Sequence, residues 1–226
     1  MLMTAADYRE SLRRYKPRIF INGARVESVA DEPLLAPGIA GVGTSYDFAH
    51  KAETEQFLTA TQMTSGKTVN RMLHINQTST DLLYKLEGVR AICAESGCAQ
   101  RYLAHDALNG LYQATKRTDE AHGTDYHQRF VNYLHRVQDE DLALGVAMTD
   151  AKGDRSVRPG DQANPDVYVH ITERRPDGIV IRGTKAIVTG APYMHEFLVM
   201  PCRTHRPEDT DFAVACAVPI DADGVT

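Results

Sequence analysis

The sequence predicts an α+β chain with helices first and strands second, and two periodicities carry that prediction. Between residues 79 and 138 apolar side chains recur every three to four positions, the mark of amphipathic helices. Between 166 and 174, Val167, Val169 and Ile171 alternate with Tyr168, His170 and Thr172, the mark of a half-buried strand. A boundary near 140 divides a mainly helical first domain, 1–140, from a β domain, 141–226.

In chain order, Thr4 with Asp7 three residues on reads as the capped start of a helix running from Ala5 to Tyr15 and stopped before Pro17. Asn22-Gly23 is a favoured hairpin turn between Ile19 and Val29. Pro33, Pro37, Gly38, Gly41 and Gly43 mark an irregular crossing segment. Thr80 is placed to cap a helix whose apolar face is Leu82, Leu83, Leu86, Val89 and Cys93, interrupted at Gly97. A second helix spans Cys98 to Lys116. A third, Tyr126 to Gln138, buries Tyr126, Phe130, Leu134 and Val137. Beyond 166, strands are expected over Asp166–Arg174, Ile179–Arg182, Lys185–Thr189, Phe197–Met200 and Phe212–Val218, with a turn at Pro176-Asp177-Gly178. Asp221 to Gly224 is turn chemistry after a strand, so a further segment or a partner chain is expected to cover the sheet.

Composition narrows the function classes. Net charge is −5 and the pI about 6.0, leaving no positive field to gather nucleic acid. No run of about 18 apolar residues occurs, so a membrane-spanning helix is not expected. Four cysteines without a C-x-x-C pair suit free thiols in a reducing cytoplasm. Gly66-Lys67-Thr68 lacks the upstream glycine of a phosphate loop, since position 61 is Thr61, so ATP binding is rejected. The histidines show no metal-ligand spacing, and no metal is assigned.

Several motifs, in order along nearly the whole chain, carry a family resemblance. They are Met1-Leu2-Met3-Thr4 with Tyr8 and Ser11-Leu12-Arg13, Gly66 to Arg71, Gln77 to Leu82, and Tyr126-His127. Ala147 to Asp150, Lys152 to Arg155, Asp177 to Val180, Gly183 to Ala186, and His195-Glu196 continue the series. Together they resemble the 4-hydroxyphenylacetate 3-hydroxylase and 4-hydroxybutyryl-CoA dehydratase flavoprotein family. The resemblance implies an acyl-CoA-dehydrogenase-like architecture: an N-terminal helical domain, an antiparallel, barrel-like β domain, and a C-terminal helical bundle absent from these residues. It further implies a homo-oligomer, dimer or tetramer, and a small-molecule substrate, a phenolic acid or an acyl-CoA. In some members a separate reductase delivers reduced flavin.

The resemblance also supplies candidate roles. The loop Ala147–Arg155 offers a hydroxyl, carboxylates and cations suited to the polar edge and pyrophosphate of FAD. Thr149, Asp154, Arg155 and Thr189, with Met148 and Lys152, are the implied FAD-binding residues. Cys98 and Tyr102, at i and i+4 on the expected helix, are the implied catalytic pair. In the dehydratase two cysteines at these positions ligate a [4Fe–4S] cluster with partners from the C-terminal region. Here the second is Tyr102, and a phenol is a poor cluster ligand. In the hydroxylases the positions hold arginine and tyrosine against a phenolic substrate, with a histidine near Val146. Tyr102 fits that pattern, and Cys98 and Val146 depart from it. The expected reaction is FAD-dependent hydroxylation of a phenolic or related substrate, the alternatives being a dehydratase-type lyase and a non-catalytic, oligomerising chain. His105-Asp106 is a further candidate acid–base pair, although adjacent helical residues point apart.

Overall fold

The computed structural model describes residues 2–226; the Met1 of the opening motif lies outside them. Thr4 accepts from the Asp7 amide while Asp7 accepts from the Thr4 backbone, so a capping box starts α1, Ala5–Ser11, which tightens into a 3₁₀ turn at Leu12–Arg14. Strands β1, Phe20–Ile21, and β2, Ala24–Arg25, form the expected hairpin, with Asn22 at φ 51° and Gly23 at φ 81°.

The segment expected to be irregular is instead helix α2, Ala36–Asp47. Pro37 sits in the first turn, where its missing N–H costs nothing. Its glycines serve packing: a Cβ at Gly38 would run into the Tyr193 ring, and one at Gly43 would stand 2.9 Å from the Ala5 Cβ. That closeness lets Tyr8 and Tyr46 stack at 4.9 Å. Helix α3, Glu55–Leu58, leads into a second small hairpin, β3, Thr59–Thr61, with β4, Thr68–Asn70.

Helix α4, Ser79–Ser96, is capped by Thr78 with Asp81, two residues ahead of the expected Thr80, and ends on Gly97 at φ 75°. Its apolar face is not the expected one. Leu82, Leu83 and Leu86 are 46%, 61% and 51% exposed, whereas Gly88 and Ile92 are buried. Gly88 decides this, because there the helix lies against the Phe57 carbonyl and the Leu58 side chain.

Helix α5, Arg101–His122, begins three residues later than expected, leaving Cys98 outside it. Helix α6, Tyr126–Asp139, buries Phe130, Leu134 and Val137 as expected; Tyr126, in the first turn, stays largely exposed.

The β half departs most from expectation. Strand β5, Leu144–Ala147, runs parallel to β8, Glu196–Val199, which pairs antiparallel with β9, Cys216–Pro219. Strands β6, His170–Arg175, and β7, Gly178–Arg182, form a separate hairpin. Among the described residues the strands thus form a mixed three-stranded sheet and ribbons, not an antiparallel closed barrel. The parallel pair follows from the apolar run Leu142–Ala147, almost wholly buried and packed against α5. Residues 185–189 make one bridge, Asp150 to Lys185, because Ile187 turns to φ 56° and into solvent. Phe212 closes a 3₁₀ turn rather than opening a strand.

Two apolar cores cross position 140: one joins Tyr8, Val42 and Tyr46 to Ala143 and Met194, the other joins Leu108 and Leu134 to Leu144 and Leu198. Among the described residues no helix is long and apolar enough to cross a membrane.

Candidate flavin and substrate site

The loop after β5 carries most of the candidate residues, and backbone pairing shapes it. The Ala186 amide donates to the Thr149 carbonyl at 2.7 Å, and the Ala151 amide to the Thr184 carbonyl at 3.2 Å. Residues 148–151 are thereby bound to the segment that runs on to Thr189. Between them Asp150, 4% exposed, meets the Lys185 ammonium at 2.7 Å. The Val169 amide and the Cys202 thiol donate to the same carboxylate.

Beyond Asp150 the loop turns outward. Lys152 and Gly153 both have positive φ, 75° and 46°. Glycine is required at 153, where a Cβ would strike the Gln162 side chain. Asp154 is exposed, and its carboxylate accepts from the Ser156 amide and hydroxyl at 2.8 and 2.7 Å, which holds it below the usual carboxylate range. It therefore shapes the turn. Met148, Arg155 and Thr189 are exposed and Thr149 half-buried. Arg155 makes no ion pair among the described residues and is free to meet an anion.

Thr189 precedes Gly190 at φ 73°, where a Cβ would collide with Met194, Tyr193 and the Gln100 side-chain oxygen. The end of the Thr189 segment therefore lies against the residue that opens α5. On the first turn of α5, Tyr102 is half-buried, with Lys85 5.4 Å from its ring centre. The neighbouring Asp106 carboxylate, itself 3.2 Å from Lys85, raises the Tyr102 phenol above its ordinary value. Cys98 is exposed and non-helical, so the i, i+4 argument for a Cys98–Tyr102 face does not hold. Val146 is half-buried in β5, opposite Leu198.

His105 and Asp106 diverge as adjacent helical residues should. Burial lowers His105 to about 4; its Nδ1–H donates to the Arg71 carbonyl and its Nε2 accepts from Asn76, while Asp106 faces Lys85. Sequence reasoning missed the pairing of Arg101 with Asp141, buried at 2.7 Å, because Asp141 turns in at φ 50° from forty residues away in the chain. It also left Lys185 without a role, although Lys185 stands inside one of the family motifs.

The exposed hydroxyl, thioether and guanidinium groups around 148–155 and 189 fit a flavin nucleotide, as donors and a cation beside an open face. The Cys98 thiol, ahead of α5, and the Tyr102 phenol on it do not share a helical face, and a phenol is a poor ligand for an iron–sulfur cluster.

Helices are thus followed by a small mixed sheet, with a polar loop where they meet. The chain belongs to the 4-hydroxyphenylacetate 3-hydroxylase family: the family model described as "4-hydroxyphenylacetate 3-hydroxylase N terminal" matches residues 4–226. It is 39% identical over 226 residues to 4-hydroxybutyryl-CoA dehydratase/vinylacetyl-CoA-Delta-isomerase of Clostridium aminobutyricum, covering 100% of this chain and 46% of that one. An oxygen-tolerant archaeal 4-hydroxybutyryl-CoA dehydratase from N. maritimus superposes with a TM-score of 0.95 at 37% identity, over 99% of this chain and 45% of the other. The oxygenase component (HpaB) of 4-hydroxyphenylacetate 3-monooxygenase, complexed with FAD and 4-hydroxyphenylacetate, superposes at 0.83 with 24% identity, over 98% and 46%. The chain thus spans about half the length of the relatives it matches.

Proposed function

We propose that these residues form the flavin- and substrate-facing part of an FAD-dependent enzyme that hydroxylates a phenolic or related substrate. The observation that carries the reading is the junction just described: the loop 148–155 is paired to the segment ending at Thr189, which abuts the start of the helix bearing Tyr102. Residues 1–140 then supply the substrate side and 141–226 the flavin side. Thr149 and Thr189 offer hydroxyls to the ring edge, Met148 an apolar contact, and Lys152 and Arg155 charge for the pyrophosphate, with Asp154 holding the turn that presents them. FAD, reduced by a separate reductase, supplies the electrons that let one atom of dioxygen enter the ring while the other leaves as water. Tyr102 offers its hydroxyl to the substrate's oxygen, and Cys98 lies four residues earlier, just ahead of α5. The exposed leucines of α4 support assembly as a homo-oligomer.

A dehydratase-type lyase acting on an acyl-CoA is the second reading, favoured by the 39% identity and the TM-score of 0.95. Tyr102 opposes it. The test uses the full-length polypeptide as encoded, given reduced FAD, oxygen and a panel of phenolic acids. Oxygen-dependent formation of a catechol, lowered about tenfold or more by Tyr102→Phe, is expected, that being the loss of one hydrogen bond in the transition state. Iron and sulfide in the purified protein, with dehydration of 4-hydroxybutyryl-CoA, would establish the lyase instead.

A further inference from the structure

Lys185 sits where three segments meet. Its ammonium donates to the Met148 carbonyl at 3.0 Å, to the Met200 carbonyl at 2.8 Å, and lies 2.7 Å from Asp150 Oδ1. An ammonium has three N–H donors, and here three acceptors use them all. The side chain is only 10% exposed, so the charge does not serve solvent or a free ligand.

The carbonyls it captures are informative. Met148 opens the loop, and the next carbonyl, that of Thr149, is held by the Ala186 amide. Met200 follows the last residue of β8, and its amide donates back to the Ala147 carbonyl at 3.2 Å. Lys185 thus ties the loop's first residue both to the sheet and to the segment leading to Thr189. A backbone caught at two consecutive carbonyls is restrained in rotation, which fixes the directions in which the Met148 and Thr149 side chains leave it.

A planar guanidinium would not converge on these three acceptors, and a methionine would give up both carbonyl bonds and leave the Asp150 charge without its counter-ion. We infer that Lys185 is a positioning residue, with Asp150 as its counter-ion, that holds Met148 and Thr149 in the orientation needed to bind the flavin ring. This rests on the flavin reading above. The clamp itself is a property of the chain and is measurable without flavin.

The test compares full-length wild type with Lys185→Met and with the double variant Asp150→Asn/Lys185→Met, which leaves no unpaired buried charge and so remains foldable where the single variant does not. Two readouts are taken: FAD dissociation constant from flavin fluorescence, and backbone amide exchange across 148–151 in flavin-free protein. The double variant should bind FAD about tenfold more weakly, as expected for loss of a charged hydrogen bond. Its amides at 148–151 should exchange faster, while those of α5 keep the wild-type rate. Wild-type affinity in the double variant overturns the positioning role. Unchanged exchange at 148–151 overturns the clamp, whichever way flavin binding turns out. A wild type that ignores FAD while the variant's loop still loosens defeats the flavin reading and leaves the clamp standing.

Discussion

Around Arg101, between α2, α5 and the residues before β5, polar groups are dry, and Arg101 is held through Nη2 while its buried Nε and Nη1 have no partner; in the loop 148–162 similar residue types lie open to water. Arg101 pairs with Asp141 and covers the Tyr46 ring at 3.9 Å, and the Tyr46 hydroxyl donates to the Asp141 carbonyl. His195, fully buried, accepts from the Ala143 amide through Nδ1 and donates from Nε2 to Ser11, whose own proton goes to the Tyr8 carbonyl. In the loop, Asp154, Ser156 and Gln162 hold one another on the surface. The difference teaches where change is tolerated. A dry network loses stability when any member goes, whereas a wet one only loosens, and a binding loop is best made from the second kind.

The sharpest way to break this contrast is Asp141→Ala, which strands the Arg101 charge in the interior. It should cost about 3–5 kcal/mol in a denaturant titration. A loss no larger than that of a surface substitution would mean water reaches the pair.

Next in size is a pH effect at His195. Burial, with the Arg101 and Arg14 charges, lowers its pKa from 6.5 to about 3, and its Nδ1 is already taken by the Ala143 N–H. The unfolded chain binds that proton below about pH 6.5 and the folded chain does not, so stability is full above 6.5, falls as pH drops toward 3, and levels off below. About 2 kcal/mol should disappear between pH 6.5 and 5, and His195→Gln should remove most of that slope while lowering stability overall. His105, lowered to about 4, adds a slope of the same sign. A slope unchanged in His195→Gln would place the titration elsewhere.

The smallest effect belongs to the loop. Gln162→Ala removes the side chain that bonds both the amide and the carbonyl of Asp154. Stability should change by less than about 1 kcal/mol, whereas amide exchange over 153–157 should rise clearly. A large stability loss would make the loop part of the scaffold.

Much of this was legible from short-range rules. The capping box at Thr4, the Asn22-Gly23 turn, the Gly97 stop and the buried stripe of α6 depend on residues within about four positions of one another. The loop and its membership of the family were legible from motifs. Helix α2 was hidden because Pro37 and the glycines Gly38 and Gly43, usual breakers, serve a first turn and two close packings instead. The start of α5 was missed because nothing local marks it: the Gln100 side chain accepts no cap hydrogen bond, and a shift of three residues undid the Cys98–Tyr102 face.

Local chemistry along the chain was enough to say that helices precede strands, where several of them begin and end, and which loop carries hydroxyls and charges. It could not say which side of α4 turns inward, that β5 runs parallel to β8, or that Lys185 reaches Met148, Met200 and Asp150. Those outcomes depend on surfaces brought together from distant positions, where a missing Cβ at Gly88 or a carbonyl without a partner decides the packing.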